Sequence, residues 1–516
     1  MKPPQISRLA WGLLIVLIAL GAAIRFVDLT EPPVDFHPTR QLRDAIIARA
    51  LYYRWLPHPD PEKARLAQET AAPGQVEKFE PPLLEGLVAA TYLAVGGEHV
   101  WIARIYSILF WLLGVLGVFL LAHALAGEAG ALAAAAFPLF LPLAVQASRS
   151  FQPDPLMSAL IVWTAYAAYR WAQHPAWKPA LWLGVVGGLA ILVKAFAIYE
   201  VAGITAGALV IVGRREGWKA VWGRAQTWAM GVLMLAPVGL YLLLRGEHAA
   251  GGYIAYWMLA FHKLWFARFF YTRWAFHFLD WFTPLAVLLA FAGLYFARQE
   301  GRPLLLGWMV GYGLLGFSVP YLIISHNYYS LPATFWVAVA LAPTVETVWG
   351  WARAVGRWAW MSMAALGLLF IAVGVRADLH LLKASYWGEA ERWAAVAAAV
   401  PADGKVIGLT PTYGMRIRYF GWRPIGYWPP PGEYAVARLQ DRPASVWHDF
   451  QWRTKGYRYF LVAAEGFLDA EPQLKYILTH YYPCIAKGPS YWVYDLAHPL
   501  KPLPKFPPPE EQHGSG

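Results

Sequence analysis

Apolar runs long enough to cross a lipid bilayer recur in this chain up to about residue 376, joined by short basic or aromatic links. A spanning helix needs about 20 mostly apolar residues, because in hydrocarbon each backbone N–H and C=O must be bonded within its own segment. Such runs fall at about 9–24, 101–125, 129–147, 155–172, 180–197, 200–213, 227–244, 281–297, 303–324, 331–348 and 358–375. They predict a predominantly α, polytopic transmembrane helical bundle of about 11 spans. Composition agrees: 58% of the 516 residues are hydrophobic and only 15% charged, against about a quarter charged in soluble domains.

A formal charge of +11 could suggest a nucleic-acid partner. The basic residues are instead spread over membrane loops with no recognition motif, so no nucleic acid is expected. The 28 Trp and 28 Tyr suit two membrane–water interfaces. A lone cysteine, Cys484, permits no disulfide within the chain.

Arg8 and Lys2 precede the first run, whose length favours an uncleaved helix over a signal peptide. The links holding Arg170 and Lys178, Arg214 to Arg224, Arg298 and Arg302, and Arg353 and Arg357 all fall on one side by parity. By the positive-inside rule that side is cytoplasmic, as is the N-terminus. The expected domains are a transmembrane domain over 1–376, with a large first outer loop at about 26–100, and an extracytoplasmic α/β domain over 377–497. A Pro-rich tail follows over 498–516. In the outer loop, 83–95 is too short to span and reads as an interfacial helix. A helix near 389–400 and strands near 405–410, 457–463 and 491–496 mark the α/β domain. The expected location is the inner or plasma membrane.

Ionisable residues concentrate on the outer side. The run VDFHPTRQLRDAIIAR holds Asp35, His37, Arg40, Gln41, Arg43, Asp44 and Arg49. A carboxylate beside His and Arg can act as a base or bind metal or phosphate; an ordinary solvated loop is the alternative. In QASRSFQPDPLM, Arg149 suits an anion, whereas Asp154 is either a site residue or a helix cap. Lys194 and His326 lie at predicted outer helix ends, where ligand binding and interfacial snorkelling compete. Glu80 is a second carboxylate or a helix start. Trp257, Trp265, Phe270 and Trp274 are sugar-stacking or interfacial-anchor candidates.

With DFHPTRQ at 35–41, FEPPL at 79–83, RSFQPDPLM at 149–157, LVKAFAIY at 192–199 and HNYYSLPA at 326–333, the sequence resembles the GT-C glycosyltransferases. Within them it resembles the bacterial branch similar to protein O-mannosyltransferases and lipid A aminoarabinose transferases. The resemblance implies transfer of a sugar, with inversion, from a polyprenyl-phosphate donor to an envelope lipid, glycan or protein acceptor, among membrane lipids. It implies Asp35, with Glu80 as second carboxylate, at the catalytic centre. Substrate contacts are implied for His37, Arg40, Arg149, Asp154, Lys194, His326, Tyr328 and Tyr329. Many relatives have adjacent acids where this chain has Asp35, Phe36 and His37, and Lys-Pro where it has Lys194 and Ala195. A divalent metal therefore stays open, with Asp35 and His37 as candidate ligands, and no nucleotide cofactor is expected. A lipid or sugar transporter or flippase, or a noncatalytic envelope-assembly subunit, are the competing readings. A transporter favours repeated halves and midplane charges, neither of which is evident here.

Overall fold

The computed structural model describes residues 5–77, 80–245 and 256–506. Lys2, Phe79 of the FEPPL motif and residues 507–516 of the expected tail lie outside the described residues. Packing divides the chain into two units. One holds residues 1–29, 79–83 and 101–385; the other holds 30–78, 84–100 and 386–516. Most of the first outer loop thus groups with the C-terminal residues, not with the bundle to which hydropathy assigned it.

In the membrane unit, each of the eleven expected runs is helical. Six helices are long and apolar enough to cross a membrane alone, and eight spans result if two bent pairs each count as one. Other expected runs form helices outside that set: Trp177–Val193 and Arg302–Ser318 have 17 residues each. The polar-ended Asp154–Gln173 also falls outside the qualifying set. Multiple apolar helices make this a multi-pass membrane protein.

Proline causes both breaks. Glu128–Phe140 and Pro142–Ser148 meet at 67° across Leu141, and Arg268–Phe282 and Pro284–Phe296 at 95° across Thr283. A residue before proline is driven out of the helical region: Leu141 is extended (φ −80°, ψ 117°), and Thr283 has φ +65° and ψ 143°. Helices Ala197–Glu216 and Arg302–Ser318 cross almost backbone to backbone. A Cβ on Gly203 would lie 2.1 Å from the Gly307 carbonyl oxygen, and one on Gly311 would lie 2.4 Å from that of Tyr199. Gly203/Gly207 and Gly307/Gly311, each pair four residues apart, are the small-residue spacing that allows such an approach.

The second unit contains a five-stranded mixed sheet: β1 (Val406–Leu409), β2 (Gly426–Tyr427), β3 (Tyr459–Val462), β4 (Cys484–Gly488) and β5 (Tyr491–Asp495). Its order is β2-β1-β3-β5-β4. β1 runs parallel to β2 and β3, in register Val406↔Tyr459 to Leu409↔Val462, while β5 is antiparallel to β3 and β4. β1 and β3 are buried at every position, as expected of strands covered on both faces. One cluster around Trp428, Phe450, Phe460 and Leu474 and another around Trp393, Ile417 and Leu461 supply the cover. β2 and β4 were not anticipated. β2 is two residues long, and β4 (CIAKG) carries only a short apolar signal.

The first-loop helix Pro38–Trp55 is fastened inside this unit by Arg49. Its guanidinium bonds Glu98 through Nη2 (2.9 Å) and Nε, donates to the Tyr419 carbonyl (2.6 Å), and lies 4.1 Å and 3.9 Å from the Tyr419 and Trp422 rings. Gln75 adds a second tie, accepting from Arg418 Nε (2.8 Å) and the Ile425 N–H (3.0 Å). Burial pushes the Arg418 guanidinium down to about 10, and its remaining donors meet the carbonyls of Tyr413 and Ile425.

Candidate functional site

Within the membrane unit, Lys194 occupies the turn between helices Trp177–Val193 and Ala197–Glu216 in extended conformation (φ −155°, ψ 117°). Its Nζ donates to Asp154 Oδ1 at 2.8 Å, with the two side chains 3% and 1% exposed. Snorkelling is thereby ruled out for Lys194, since its head group lies inside the protein. Asp154 is the first residue of Asp154–Gln173, and its carboxylate is spent on the lysine instead of on a cap. Asp154 Oδ2 is buried and accepts no hydrogen bond among the described residues.

Tyr328 and Tyr329 cover the ammonium. Their ring centres are 4.9 Å and 5.1 Å from Nζ, a distance at which the π face attracts a cation. The two rings stack on each other at 4.7 Å, and His326 stands edge-on to both at 5.6 Å and 6.4 Å. The 3-10 turn Asn327–Ser330, set after Ser325 and ahead of the helix Ala333–Val355, is what presents these rings. Ser325 Oγ lies 2.7 Å from His326 Nδ1.

Arg149, 1% exposed, donates from Nη2 to the Asp28 carbonyl (3.0 Å). Arg104 donates to the same oxygen and to the Leu29 carbonyl, each at 3.0 Å. Arg25 anchors the same region through Ser148 Oγ (2.7 Å) and the Gly21, Leu139 and Pro138 carbonyls. Three buried arginines therefore gather about the end of the first helix. Glu80 also belongs to this unit and is half-buried.

The other expected residues belong to the second unit. Gln41 Nε2 donates to Asp35 Oδ1 (3.0 Å) and to the Phe36 carbonyl (2.6 Å), fixing the carboxylate at the start of Pro38–Trp55. His37 precedes that helix with φ +44°, a left-handed conformation uncommon outside glycine, and its ring meets Phe36 edge-on at 4.6 Å. Arg40 is half-buried one turn on, and Arg43 pairs with Asp44 at 2.7 Å. Among the described residues no three His, Cys, Asp or Glu side chains gather as a metal-ligand set.

The candidate residues accordingly form two groups: Arg149, Asp154, Lys194, His326, Tyr328, Tyr329 and Glu80 in the membrane unit, and Asp35, His37 and Arg40 in the other. Sequence reasoning missed Glu200 and Arg104, both buried. Each is an ionisable residue inside an apolar helix, and that signal alone marks a functional candidate. The aromatic segment contributes a groove of about 280 Å³ lined by Tyr271, Trp274, Phe278, Tyr312 and Trp336 among others. Of the aromatic candidates, Trp265 donates to the Phe317 carbonyl (2.8 Å), Trp257 stacks near Tyr321 (6.2 Å), and Phe270 is buried.

Residues 80–241, which include Glu80, Arg149, Asp154 and Lys194, match the family described as dolichyl-phosphate-mannose-protein mannosyltransferase. No curated protein matches the sequence. Among solved structures, ArnT from Cupriavidus metallidurans bound to undecaprenyl phosphate superposes with a TM-score of 0.57 at 14% identity, covering 94% of this chain and 98% of ArnT. The archaeal oligosaccharyltransferase AglB from Archaeoglobus fulgidus, in complex with an inhibitory peptide and a dolichol-phosphate, gives 0.55 at 12% identity, covering 94% of this chain and 74% of AglB. With its apolar helices and its C-terminal sheet, the chain shares the fold of these two solved membrane proteins along 94% of its length.

Proposed function

We propose that this protein transfers a sugar from a polyprenyl-phosphate-linked donor to an envelope lipid, glycan or protein acceptor at the extracytoplasmic membrane face, inverting the anomeric carbon. The observation that carries this reading is the buried Lys194 ammonium, bonded to one carboxylate oxygen and roofed by two tyrosine faces. An ammonium has three N–H donors, and the Asp154 contact uses one. The others suit a phosphate oxygen, with Arg149 as second cation.

In the transfer, the acceptor O–H loses its proton to a carboxylate as its oxygen bonds the anomeric carbon. The bond from that carbon to the donor phosphate breaks, and polyprenyl phosphate departs with the electron pair. Negative charge grows on the leaving phosphate, so cations already in place lower the barrier. Asp35 is assigned as the base, with Glu80 as the competing carboxylate. His37, Arg40, Asp154, His326, Tyr328 and Tyr329 are assigned to substrate contact or to holding those groups. The isoprenoid stays in lipid, and the aromatic groove of about 280 Å³ suits part of such a chain. The structural neighbours support the donor class: ArnT was solved with undecaprenyl phosphate and AglB with a dolichol-phosphate.

Purified protein in nanodiscs, given polyprenyl-phosphate-linked sugars and envelope acceptors, should release free polyprenyl phosphate. Movement of intact donor across a vesicle membrane without cleavage would instead establish the transporter reading. The orientation belongs to the same proposal: reporter fusions at Arg215 and Lys405 should report cytoplasm and exterior respectively, and a shared compartment would overturn it.

A further inference from the structure

Six residues after Lys194, Glu200 is a carboxylate 1% exposed within an apolar helix. Its Oε2 accepts from the Trp308 indole N–H at 2.5 Å, and Trp308 is itself fully buried. The glycine crossing of Ala197–Glu216 over Arg302–Ser318 brings these two side chains together, because Gly203, Gly207, Gly307 and Gly311 leave the backbones in contact. Glu200 also lines one small cavity with Asp154, Lys194 and Tyr329, the rest of whose wall is apolar. That cavity has a volume of about 10 Å³, roughly the room a single water needs. Asp154 Oδ2, the oxygen not used by Lys194, is buried and without a hydrogen bond among the described residues.

Resting on the donor reading above, we infer that Glu200 is a positioning residue for the Lys194 ammonium, acting through one water that bridges Glu200 to Asp154 Oδ2. A buried carboxylate with one free oxygen can turn about its Cβ–Cγ bond and draw the ammonium with it. A water held by Glu200 pins that second oxygen. Trp308 orients Glu200, Glu200 orients the water, the water fixes Asp154, and Asp154 leaves the remaining ammonium donors aimed at the phosphate. Supporting groups of this kind are worth about 10- to 100-fold in affinity where they orient a charged ligand group in metal sites, and the same logic applies to an ammonium.

The test uses the full chain in nanodiscs, with undecaprenyl phosphate as the probe and only folded, monodisperse protein compared. Glu200→Leu should weaken probe affinity about tenfold, the lower end of that range, whereas Glu200→Gln, which still bonds water, should largely retain it. Trp308→Phe, a milder change that leaves Glu200 in place, should move affinity in the same direction by less. In the Lys194→Gln background Glu200→Leu should cost nothing further, because it acts through the lysine. Wild-type affinity in Glu200→Leu, or an undiminished loss from it in the Lys194→Gln background, overturns the inference and leaves the donor site standing. Wild-type affinity in Lys194→Gln itself removes the donor site, and this inference with it.

Discussion

Arg49 in the C-terminal unit and Lys194 in the membrane unit are both buried cations held by a carboxylate, and they are satisfied very differently. Arg49 spends its fork on both oxygens of Glu98 and on a backbone carbonyl, with an aromatic ring nearby on each of two residues. Lys194 has a single carboxylate oxygen, and the other oxygen of that carboxylate accepts nothing among the described residues. Bidentate arginine pairs give fixed geometry, which suits fastening the first outer loop. An incompletely satisfied buried ion pair is costly unless something else uses it. On the proposed donor reading, the contrast separates a structural clamp from a poised binding group more sharply than burial does, since both cations are under 5% exposed.

The largest effect is expected at Lys194. Lys194→Gln removes the charge while keeping a donor towards Asp154, and transfer should fall about 100- to 1,000-fold, the range for losing one preorganised donor to developing negative charge. Combining it with Asp154→Asn removes both charges, and if the double variant folds and turns over normally, the poised half of the comparison is broken. Next come the two carboxylates. Asp35→Asn should lower turnover by at least about a hundredfold with donor binding retained, as expected for loss of a general base. A silent Asp35→Asn beside an inactive Glu80→Gln would transfer the base role to Glu80.

Arg49→Ala should behave in the opposite way. Leaving Glu98 without its cation in a buried pair should lower stability by about 3–5 kcal/mol, read as a loss of melting temperature. Undecaprenyl phosphate affinity of the protein that remains folded should be unchanged. A selective loss of affinity at full stability would erase the distinction drawn between the two cations.

The smallest effect concerns Glu471 in the C-terminal unit. Burial pushes its carboxyl from 4.5 up to about 7, partly offset by the Trp428 indole hydrogen bond (3.2 Å). A raised carboxyl favours the folded state most while neutral. Its contribution is fully present below about pH 4.5, declines as the unfolded chain ionises, and is gone once the pH has passed about 7. Glu471→Gln should therefore flatten the fall in melting temperature between those pH values by about 2–4 °C, the scale of a 1 kcal/mol change in a chain of some size. An unchanged slope would show that Glu471 is not the group responsible.

Hydropathy made the helices legible, because bilayer-length apolar runs have few other uses. Where proline breaks a run, as at Leu141 and Thr283, or polar ends shorten it, as in Asp154–Gln173, apolar length alone does not give the course of the helix. The grouping of the first outer loop with the C-terminal residues was not legible. Arg49 meets Tyr419 across 370 positions, and no local pattern encodes a pairing at that separation. At the site, Lys194, Arg149 and Asp154 were legible as charges next to apolar runs. The choice between cap and ion pair for Asp154 was not, because it depends on a turn 40 residues away. Glu200 was readable by the same criterion as Lys194, since it is an ionisable residue opening the apolar run at about 200–213.

The central claim is that Lys194 receives the donor phosphate, and a cryo-EM structure of the full chain in nanodiscs with undecaprenyl phosphate tests it most directly. The account predicts phosphate density within hydrogen-bonding distance of Lys194 Nζ, beneath Tyr328 and Tyr329, with Asp154 still bound to the lysine. Phosphate density at another cluster, with the Lys194 to Asp154 pair closed and no ligand beside it, would contradict it.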